Sequence, residues 1–269
     1  MAPIITSNIF LFIFGTAIGS FLNVLIDRLP REESVCGRSH CEFCKKTLSP
    51  LDLIPLISFL LLKGRCRYCG KKLSIQYPFI EILTGIVFVL SYWLLVIRYP
   101  EFNMLFPITN IFYLIAYFGL VSCFIVIFFA YVKYHIIPDE MQIALFLSIL
   151  LYRVMGSMGV VGVMWAMLEG SVVMLPILFL HLITRGKGMG FGDVKLSFNM
   201  GFLLGLKSGL IAVYAGFILG AFFGIVLLLM RKKKMKSKIA FGPFLIAGIV
   251  VIVSFEKPIF SLIQRIYGV

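Results

Sequence analysis

Apolar segments close to the length of a membrane span recur along the whole chain and limit the folds that it can adopt. A helix needs about 20 predominantly apolar residues to cross the hydrocarbon core of a bilayer. Segments of this kind lie at 5–26, 78–97, 108–131, 138–155, 160–183, 194–206, 208–230 and 239–256. With a mean hydropathy of +1.03, the chain is predicted to be an all-α polytopic membrane protein with about eight transmembrane helices. The short segment 194–206 is expected to be a half-span or a bent continuation of its neighbour.

Basic residues are distributed unevenly between the two ends of these segments. If the polar segment 28–77 is cytoplasmic, twenty of the 25 Lys and Arg residues fall on the cytoplasmic side. Because Lys and Arg concentrate in cytoplasmic loops, this predicts an external N-terminus, with 5–26 kept as a membrane span and not removed as a signal peptide. The net charge of +13 then reflects topology and contact with anionic lipid, and a nucleic-acid partner is not expected.

Four of the six cysteines form two CxxC pairs, CEFC and CRYCG, which are separated by 21 residues inside segment 28–77. Two thiolate pairs at this spacing are typical of tetrahedral Zn²⁺ in a ribbon or knuckle. We predict a zinc-ribbon-like loop with a structural ion bound by Cys41, Cys44, Cys66 and Cys69. Four thiolates would leave no open coordination position for catalysis. Cys36 and His40 lie close enough in sequence to be alternative ligands.

The acidic residues are few, and five of them fall in or beside apolar segments: Glu81, Asp139, Glu140, Glu169 and Asp193. A carboxylate at membrane depth costs roughly 2.5–3.5 kcal/mol on insertion scales and usually faces a bundle interior or water. Each is therefore a candidate functional residue. The predicted topology puts Asp139 and Asp193 at the cytoplasmic ends of their segments, where they could meet in one site.

The stretch GMGFGDVK places Gly188, Gly190 and Gly192 at alternate positions before Asp193. Such glycines allow a sharp turn at the edge of a span and close approach of a substrate chain. An aspartate at this point could equally cap a short helix by accepting hydrogen bonds from free N–H groups. Spacing alone leaves both interpretations open.

The stretch IIPDEM contains the second candidate, Asp139. Pro138 suits the first turn of a helix, and Asp139 and Glu140 favour the positive end of its dipole, so a charged helix start explains the motif by itself. If Asp139 and Asp193 meet, the chemistry is that of an aspartic peptidase, in which one carboxyl stays protonated while the other activates water. The chain has no GxSxG motif that would favour a serine hydrolase.

Taken in order, these motifs resemble those of the type IV prepilin peptidase family, the leader peptidases and N-methyltransferases of pilus, secretion and competence systems. The matching stretches are GSFLNVLIDRLP, the paired CxxC loop, IPLISFLLLKGRCRYCG, YPFIEILTG, IIPDEM, GMGFGDVK and FGPFL. The resemblance implies a GxGD-type membrane aspartic protease of the inner membrane with its active site facing the cytoplasm. It implies cleavage of the basic leader of a prepilin or pseudopilin after glycine, then methylation of the new N-terminus with S-adenosylmethionine. We assign no residues to the S-adenosylmethionine site and expect it in segment 28–77.

The GxGD aspartate of that family corresponds to Asp193, but its partner aspartate, eight residues before Asp139, corresponds to Tyr131. Tyrosine, with a pKa near 10, is a poor general base at neutral pH. Asp139 could replace the missing carboxylate, although eight helical residues span about 12 Å. Alternatively, the protein has lost proteolysis and keeps binding or methyl transfer, or it carries a change that disables an otherwise ordinary enzyme. These interpretations remain open at the level of sequence.

The resemblance suggests three regions: a first transmembrane span at 1–27, the cytoplasmic loop at 28–77 and a multi-span peptidase region at 78–269. A rival of another class is a membrane scaffold or transporter that uses intramembrane carboxylates to bind ions. A transporter is expected to show two similar halves with interrupted spans, and the sequence shows no such repeat.

Overall fold

The computed structural model describes residues 2–98, 107–156, 159–230 and 241–267. Within these ranges the regular structure is helical, and extended pairing is limited to two isolated bridges in the cysteine loop. The helices are α1 (Ala2–Arg28), α2 (Ile57–Leu61), α3 (Gln76–Arg98), α4 (Pro107–Tyr134), α5 (Asp139–Met155), α6 (Val160–Ile183), α7 (Phe191–Leu204), α8 (Leu206–Leu229) and α9 (Gly242–Tyr267). The predicted all-α fold is confirmed.

Five helices within the described ranges are long and apolar enough to cross a membrane: Ser7–Arg31, Gln76–Leu94, Ile111–Tyr134, Val160–Ile183 and Leu206–Leu229. The expected number of eight spans is not confirmed. With 17 and 14 residues, α5 and α7 are shorter than the roughly 20 residues that a span requires. The apolar part of α9 is likewise short, at Gly242–Phe255. The basic stretch 231–238, which contributes to the predicted membrane orientation, lies outside the described residues.

The chain forms two compact units, Met1–Val126 and Ile127–Val269. In the first unit α1 packs against α3. The two backbones come close because glycines face each other: a methyl group added at Gly15 would lie 2.8 Å from Gly85 Cα. Phe88 and Phe118 stack with ring centroids 4.3 Å apart in the buried core.

In the second unit α6 packs against α7, and α8 packs against α9. Glycines again set the spacing, since a methyl group added at Gly201 would lie 2.8 Å from Gly170 Cα. A single residue joins α7 to α8: Gly205, with a positive φ of 83° that favours glycine. The short helix α7 packs against the longer helices α6 and α8, and these contacts fix the position of its first turn.

Candidate active site and cysteine cluster

Asp193 lies in the first turn of α7 and is only 1% exposed. The glycine-rich segment before it enters the helix through an extended Gly190, whose carbonyl accepts a hydrogen bond from the Asp193 N–H at 3.2 Å. Earlier in this segment, Gly186 has a positive φ of 73°. The chain therefore turns at Gly186, whereas the glycines named from the sequence, Gly188, Gly190 and Gly192, have no positive φ.

Tyr131 in the last turns of α4 is the side chain that contacts Asp193. Its hydroxyl donates a hydrogen bond to Asp193 Oδ2 at 3.3 Å. The other carboxylate oxygen, Oδ1, is buried and has no hydrogen-bond partner within the described part of the chain. Gly242 at the start of α9 packs against this pair, because a methyl group added there would lie 3.3 Å from Oδ1 and 3.4 Å from the tyrosine ring. The arrangement is one buried carboxylate facing one phenol.

Asp139 lies apart from this pair. It begins α5 directly after Pro138, its side chain is 67% exposed, and its Oδ1 accepts a hydrogen bond from Lys195 at 2.7 Å. Between Tyr131 and Asp139 the chain turns at His135, which has a positive φ of 58° and ends α4. The structure therefore brings Tyr131 together with Asp193 and does not bring Asp139 into hydrogen-bond contact with either.

A buried amide pair that sequence reasoning missed supports the first turn of α7. Gln142 Nε2 donates to the carbonyl of Gly192 at 3.0 Å, and Asn199 Nδ2 donates to Gln142 Oε1 at 2.9 Å. Both residues are at most 4% exposed. These bonds join α5 to the residue directly before Asp193. The available signal was the presence of two amide side chains inside otherwise apolar segments.

The four CxxC cysteines come together in the first unit. The sulfur atoms of Cys41, Cys44, Cys66 and Cys69 all lie within 4.8 Å of one another. Tetrahedral zinc with Zn–S bonds near 2.3 Å requires sulfur atoms about 3.8 Å apart, and the Cys41–Cys69 pair is 4.0 Å apart. The donor set and its spacing therefore suit a metal ion. Cys36 and His40 are not part of this cluster as described.

The two CxxC turns have the same backbone structure. Cys41 N–H donates to Lys46 O and Lys45 N–H donates to Cys41 O, and Cys66 and Gly70 repeat the pattern. The fourth residue after the first cysteine has a positive φ in both turns, 57° at Lys45 and 68° at Gly70. An isolated bridge flanks each turn. Two equivalent knuckles thus present two sulfurs each to one point.

The chain matches two family models. Residues 13–95 match "Bacterial Peptidase A24 N-terminal domain", and residues 118–225 match "Type IV leader peptidase family". No solved structure matches the chain.

Similar curated proteins carry one name, prepilin leader peptidase/N-methyltransferase. The protein from Bacillus subtilis (strain 168) is 30% identical over 254 residues, covering 93% of this chain and 95% of its own length. The protein from Aeromonas salmonicida (strain A449) is 32% identical over 267 residues and covers 88% and 87%. The protein from Legionella pneumophila is 29% identical over 265 residues and covers 88% of both chains.

Proposed function

Because this chain belongs to the type IV leader peptidase family, we propose that it cleaves the basic leader from prepilins or pseudopilins after glycine and then methylates the new N-terminus. It is an integral membrane enzyme of aspartic type. The proposed location is the inner membrane, with the active site facing the cytoplasm, as the distribution of Lys and Arg supports.

The hydrogen bond between Tyr131 and Asp193 is the observation that carries the proposed peptidase site. In a two-aspartate site, one carboxylate takes a proton from water and the other, protonated, donates a hydrogen bond to the scissile carbonyl. Here Asp193 is the carboxylate that activates water. The Tyr131 hydroxyl is a neutral donor and can stabilise the negative charge that develops on the carbonyl oxygen.

With these roles, the site is expected to catalyse the same peptide hydrolysis as a two-aspartate site, but more slowly. Tyrosine can donate a hydrogen bond but, with a pKa near 10, gives up and regains its proton poorly at neutral pH. Asp193 must therefore also deliver the proton to the leaving amine. Loss of proton transfer by one residue typically costs 10²–10⁴-fold, so slow cleavage is the expected behaviour of this chain.

The substrate fits such a site physically. A leader peptide is short and basic, and the segment after it is an apolar helix that stays in the bilayer. The junction between the two parts lies at the membrane surface, where the first turn of α7 holds Asp193 directly after the glycine-rich segment.

We propose zinc as the ion of the cysteine cluster. Four thiolates close its coordination shell, so the ion stabilises the loop and takes no part in catalysis. The methyl donor is proposed to be S-adenosylmethionine, which supplies an electrophilic methyl group when bound. In functional terms, 1–27 is a first membrane span, 28–77 is the metal-binding loop and 78–269 is the peptidase region.

The test is cleavage of a purified prepilin by the full chain in detergent. Asp193→Asn is expected to lower the rate by 10²-fold or more, because the only carboxylate of the pair is lost. Glu140→Gln, an exposed carboxylate one residue from Asp139, is the matched control and should leave the rate unchanged.

A third variant, Asp139→Asn, decides which aspartate acts. A normal rate in this variant supports the assignment to Tyr131 and Asp193. A loss as large as that of Asp193→Asn would assign the partner role to Asp139. Absence of cleavage by the unmodified chain would contradict the peptidase proposal and indicate that Tyr131 disables the site.

A further inference from the structure

A cavity of about 390 Å³ lies in the first unit, beside the cysteine cluster. Its wall is formed by the end of α1, the cysteine loop and the first turns of α3. Sites for small molecules and cofactors usually enclose about 300–1,000 Å³ and have a few fixed polar groups. The volume alone therefore allows a cofactor-sized ligand, and the polar groups decide which one.

Two buried carboxylates line this cavity. Glu81 is 8% exposed and Asp27 is 7% exposed. Glu81 Oε2 accepts a hydrogen bond from the Leu56 N–H at 2.8 Å, and Asp27 Oδ2 accepts one from the Tyr77 hydroxyl at 3.2 Å. Leu56 has a positive φ of 60°, which is costly for leucine and is retained where the surroundings fix it. The Glu81 carboxylate is thus held by a specially formed turn.

Three basic side chains of the same wall bind other groups of the loop, and Lys45 also lines the cavity. Arg67 pairs with Asp52 at 2.6 Å, and Arg31 pairs with Glu42 at 3.8 Å. Arg28 donates its hydrogen bonds to backbone carbonyls of the loop, including that of Ser34. No residue in the described ranges forms an ion pair with Glu81. A buried carboxylate without a cation is unfavourable, and a cationic ligand would relieve that cost.

Asn23 adds an unused acceptor to the cavity wall. It is 3% exposed, and its amide nitrogen donates to the carbonyls of Gly19 and Tyr77. Its Oδ1 is buried without a partner among the described residues. Because these donor bonds fix the orientation of the amide, Oδ1 is available for an N–H group of a ligand.

We propose that this cavity is the S-adenosylmethionine site, with Glu81 and Asp27 providing negative charge for the cationic cofactor and Asn23 Oδ1 accepting a hydrogen bond from it. This inference rests on the proposed methyl-transfer function and assigns residues to it. The donor set fits because S-adenosylmethionine carries a sulfonium and an ammonium group beside an adenine with N–H donors. A second depression nearby is lined by Lys63, Arg65 and Arg67 without a carboxylate and does not suit a cation.

The experiment measures binding and does not depend on turnover. The full chain in detergent is titrated with S-adenosylmethionine and, separately, with S-adenosylhomocysteine, whose sulfur is neutral. Glu81→Gln keeps an oxygen that can accept from the Leu56 N–H and removes only the charge. We expect it to weaken S-adenosylmethionine binding about 10-fold and S-adenosylhomocysteine binding less than about 2-fold.

Asn23→Leu tests the second feature and should weaken both ligands alike. Glu140→Gln is the control and should bind both as the unmodified chain does. Retained prepilin cleavage and metal content in each variant show that the variant is folded. Unchanged binding in Glu81→Gln and Asn23→Leu, or an equal loss of both ligands in Glu81→Gln, would overturn this site.

Failure of this inference can be distinguished from failure of the proposed function. If the unmodified chain methylates a cleaved pilin while Glu81→Gln binds the cofactor normally, the function stands and the cavity assignment is wrong. If Glu81→Gln weakens only the binding of a cleaved pilin with a free N-terminal amine, the carboxylate recognises the substrate, which also contradicts the assignment. If the unmodified chain binds neither adenosyl ligand yet still cleaves prepilin, both the proposed methyl transfer and the proposed cofactor site are wrong.

Discussion

Each of the two units buries a carboxylate, and the two are stabilised differently. Glu81 in the first unit receives a hydrogen bond from a backbone N–H, that of Leu56. Asp193 in the second unit receives one from a side chain, the hydroxyl of Tyr131. A backbone donor is independent of the residue type, whereas a side-chain partner is lost or replaced by one substitution. The bond from Tyr131 to Asp193 can therefore be removed by one substitution, whereas the bond from the Leu56 N–H to Glu81 cannot.

The units also differ in how complete their sets of functional groups are. The first has four clustered thiols and a second buried carboxylate, Asp27, beside the same cavity. The second has one carboxylate and a phenol where the family resemblance implies two carboxylates. The first unit should therefore bind its cofactor as a family member with two catalytic aspartates would, while the second unit should cleave prepilin more slowly.

The substitution Tyr131→Asp should have the largest effect, because it supplies the carboxylate that the second unit lacks. It places a second carboxyl opposite Asp193, where the two groups can share one proton and divide the roles of acid and base. We expect prepilin cleavage to increase by about 10²-fold or more, with S-adenosylmethionine binding unchanged. The measurement is the initial rate of leader release at saturating substrate.

Tyr131→Phe is the companion variant, because it removes only the hydroxyl that donates to Asp193. Its rate should fall below that of the unmodified chain, by about 10²-fold for the loss of one donor that stabilises the developing charge. If Tyr131→Asp remains folded but does not increase cleavage, the absence of a second carboxylate is not what limits the rate in the second unit.

Removal of metal should weaken the first unit most. Cys41 and Cys66 are buried in the cluster, and outside it the two knuckles contact each other through the exposed pairs Lys46–Tyr68 and Lys71–Phe43. Binding of structural zinc is largely folding free energy for a small loop, so chelation should expose the segment between residues 41 and 73 to proteases. Limited proteolysis before and after chelation measures this, and Cys36→Ser, outside the cluster, is the control. Unchanged protection after complete metal loss would show that the loop folds without an ion.

Sequence patterns were sufficient for the fold class and for the cysteine cluster because both depend on local rules. Apolar length predicts membrane helices, and CxxC spacing predicts a metal turn. Eight spans are not confirmed, because α5 and α7 are apolar but shorter than a full span, and hydropathy alone does not fix the length of a helix.

The partners in the candidate sites could not be predicted in this way because they depend on tertiary packing. Nothing in the sequence near Asp139 shows that it turns outward to Lys195. The bond between Leu56 and Glu81 joins residues 25 positions apart and requires an unusual backbone angle. The resemblance identified Tyr131 as the position facing Asp193, and the structure shows the hydrogen bond that results.

Gly201→Ala tests whether close packing of α6 and α7 holds Asp193 in place. The added methyl group would lie 2.8 Å from Gly170 Cα and 2.6 Å from Val173 Cβ, so the helices must separate. Overpacking of this kind costs about 1–3 kcal/mol, and thermal unfolding in detergent should shift downward accordingly. Gly159→Ala is the matched control, since nothing lies within 4 Å of its added methyl group. Equal stability of the two variants would contradict tight packing at Gly201.

Gln142→Leu removes the donor to Gly192 O and leaves that partly buried carbonyl without this partner. Leaving a buried polar group without a partner costs about 1–3 kcal/mol. The backbone that loses its partner here is that of Gly192, the residue next to Asp193. We expect cleavage to fall about 10-fold, with kcat changed more than KM, because the first turn of α7 loses its position. Gln142→Glu keeps an acceptor for Asn199 but also lacks the donor to Gly192 O, so it should not restore the rate. A normal kcat in Gln142→Leu would show that this amide does not position Asp193.

Asp52→Asn should have the smallest effect, and it falls in the loop of the first unit. The carboxylate accepts hydrogen bonds from the N–H and hydroxyl of Ser49 and from Arg67. Burial raises the pKa of Asp52, but these bonds outweigh it and lower the pKa overall. A carboxyl with a lowered folded-state pKa stabilises the fold above its unfolded pKa, and this contribution is lost as the pH falls through the folded value. The expected cost of Asp52→Asn at pH 7 is about 1 kcal/mol, the usual value of a helix cap, measured as faster amide exchange around Ser49. The difference between the variant and the unmodified chain should begin to shrink as the pH falls below about 4, the unfolded value, and should vanish once the pH is below the folded-state pKa. A difference that instead grows with acid would show that Asp52 stabilises the loop by something other than its charge.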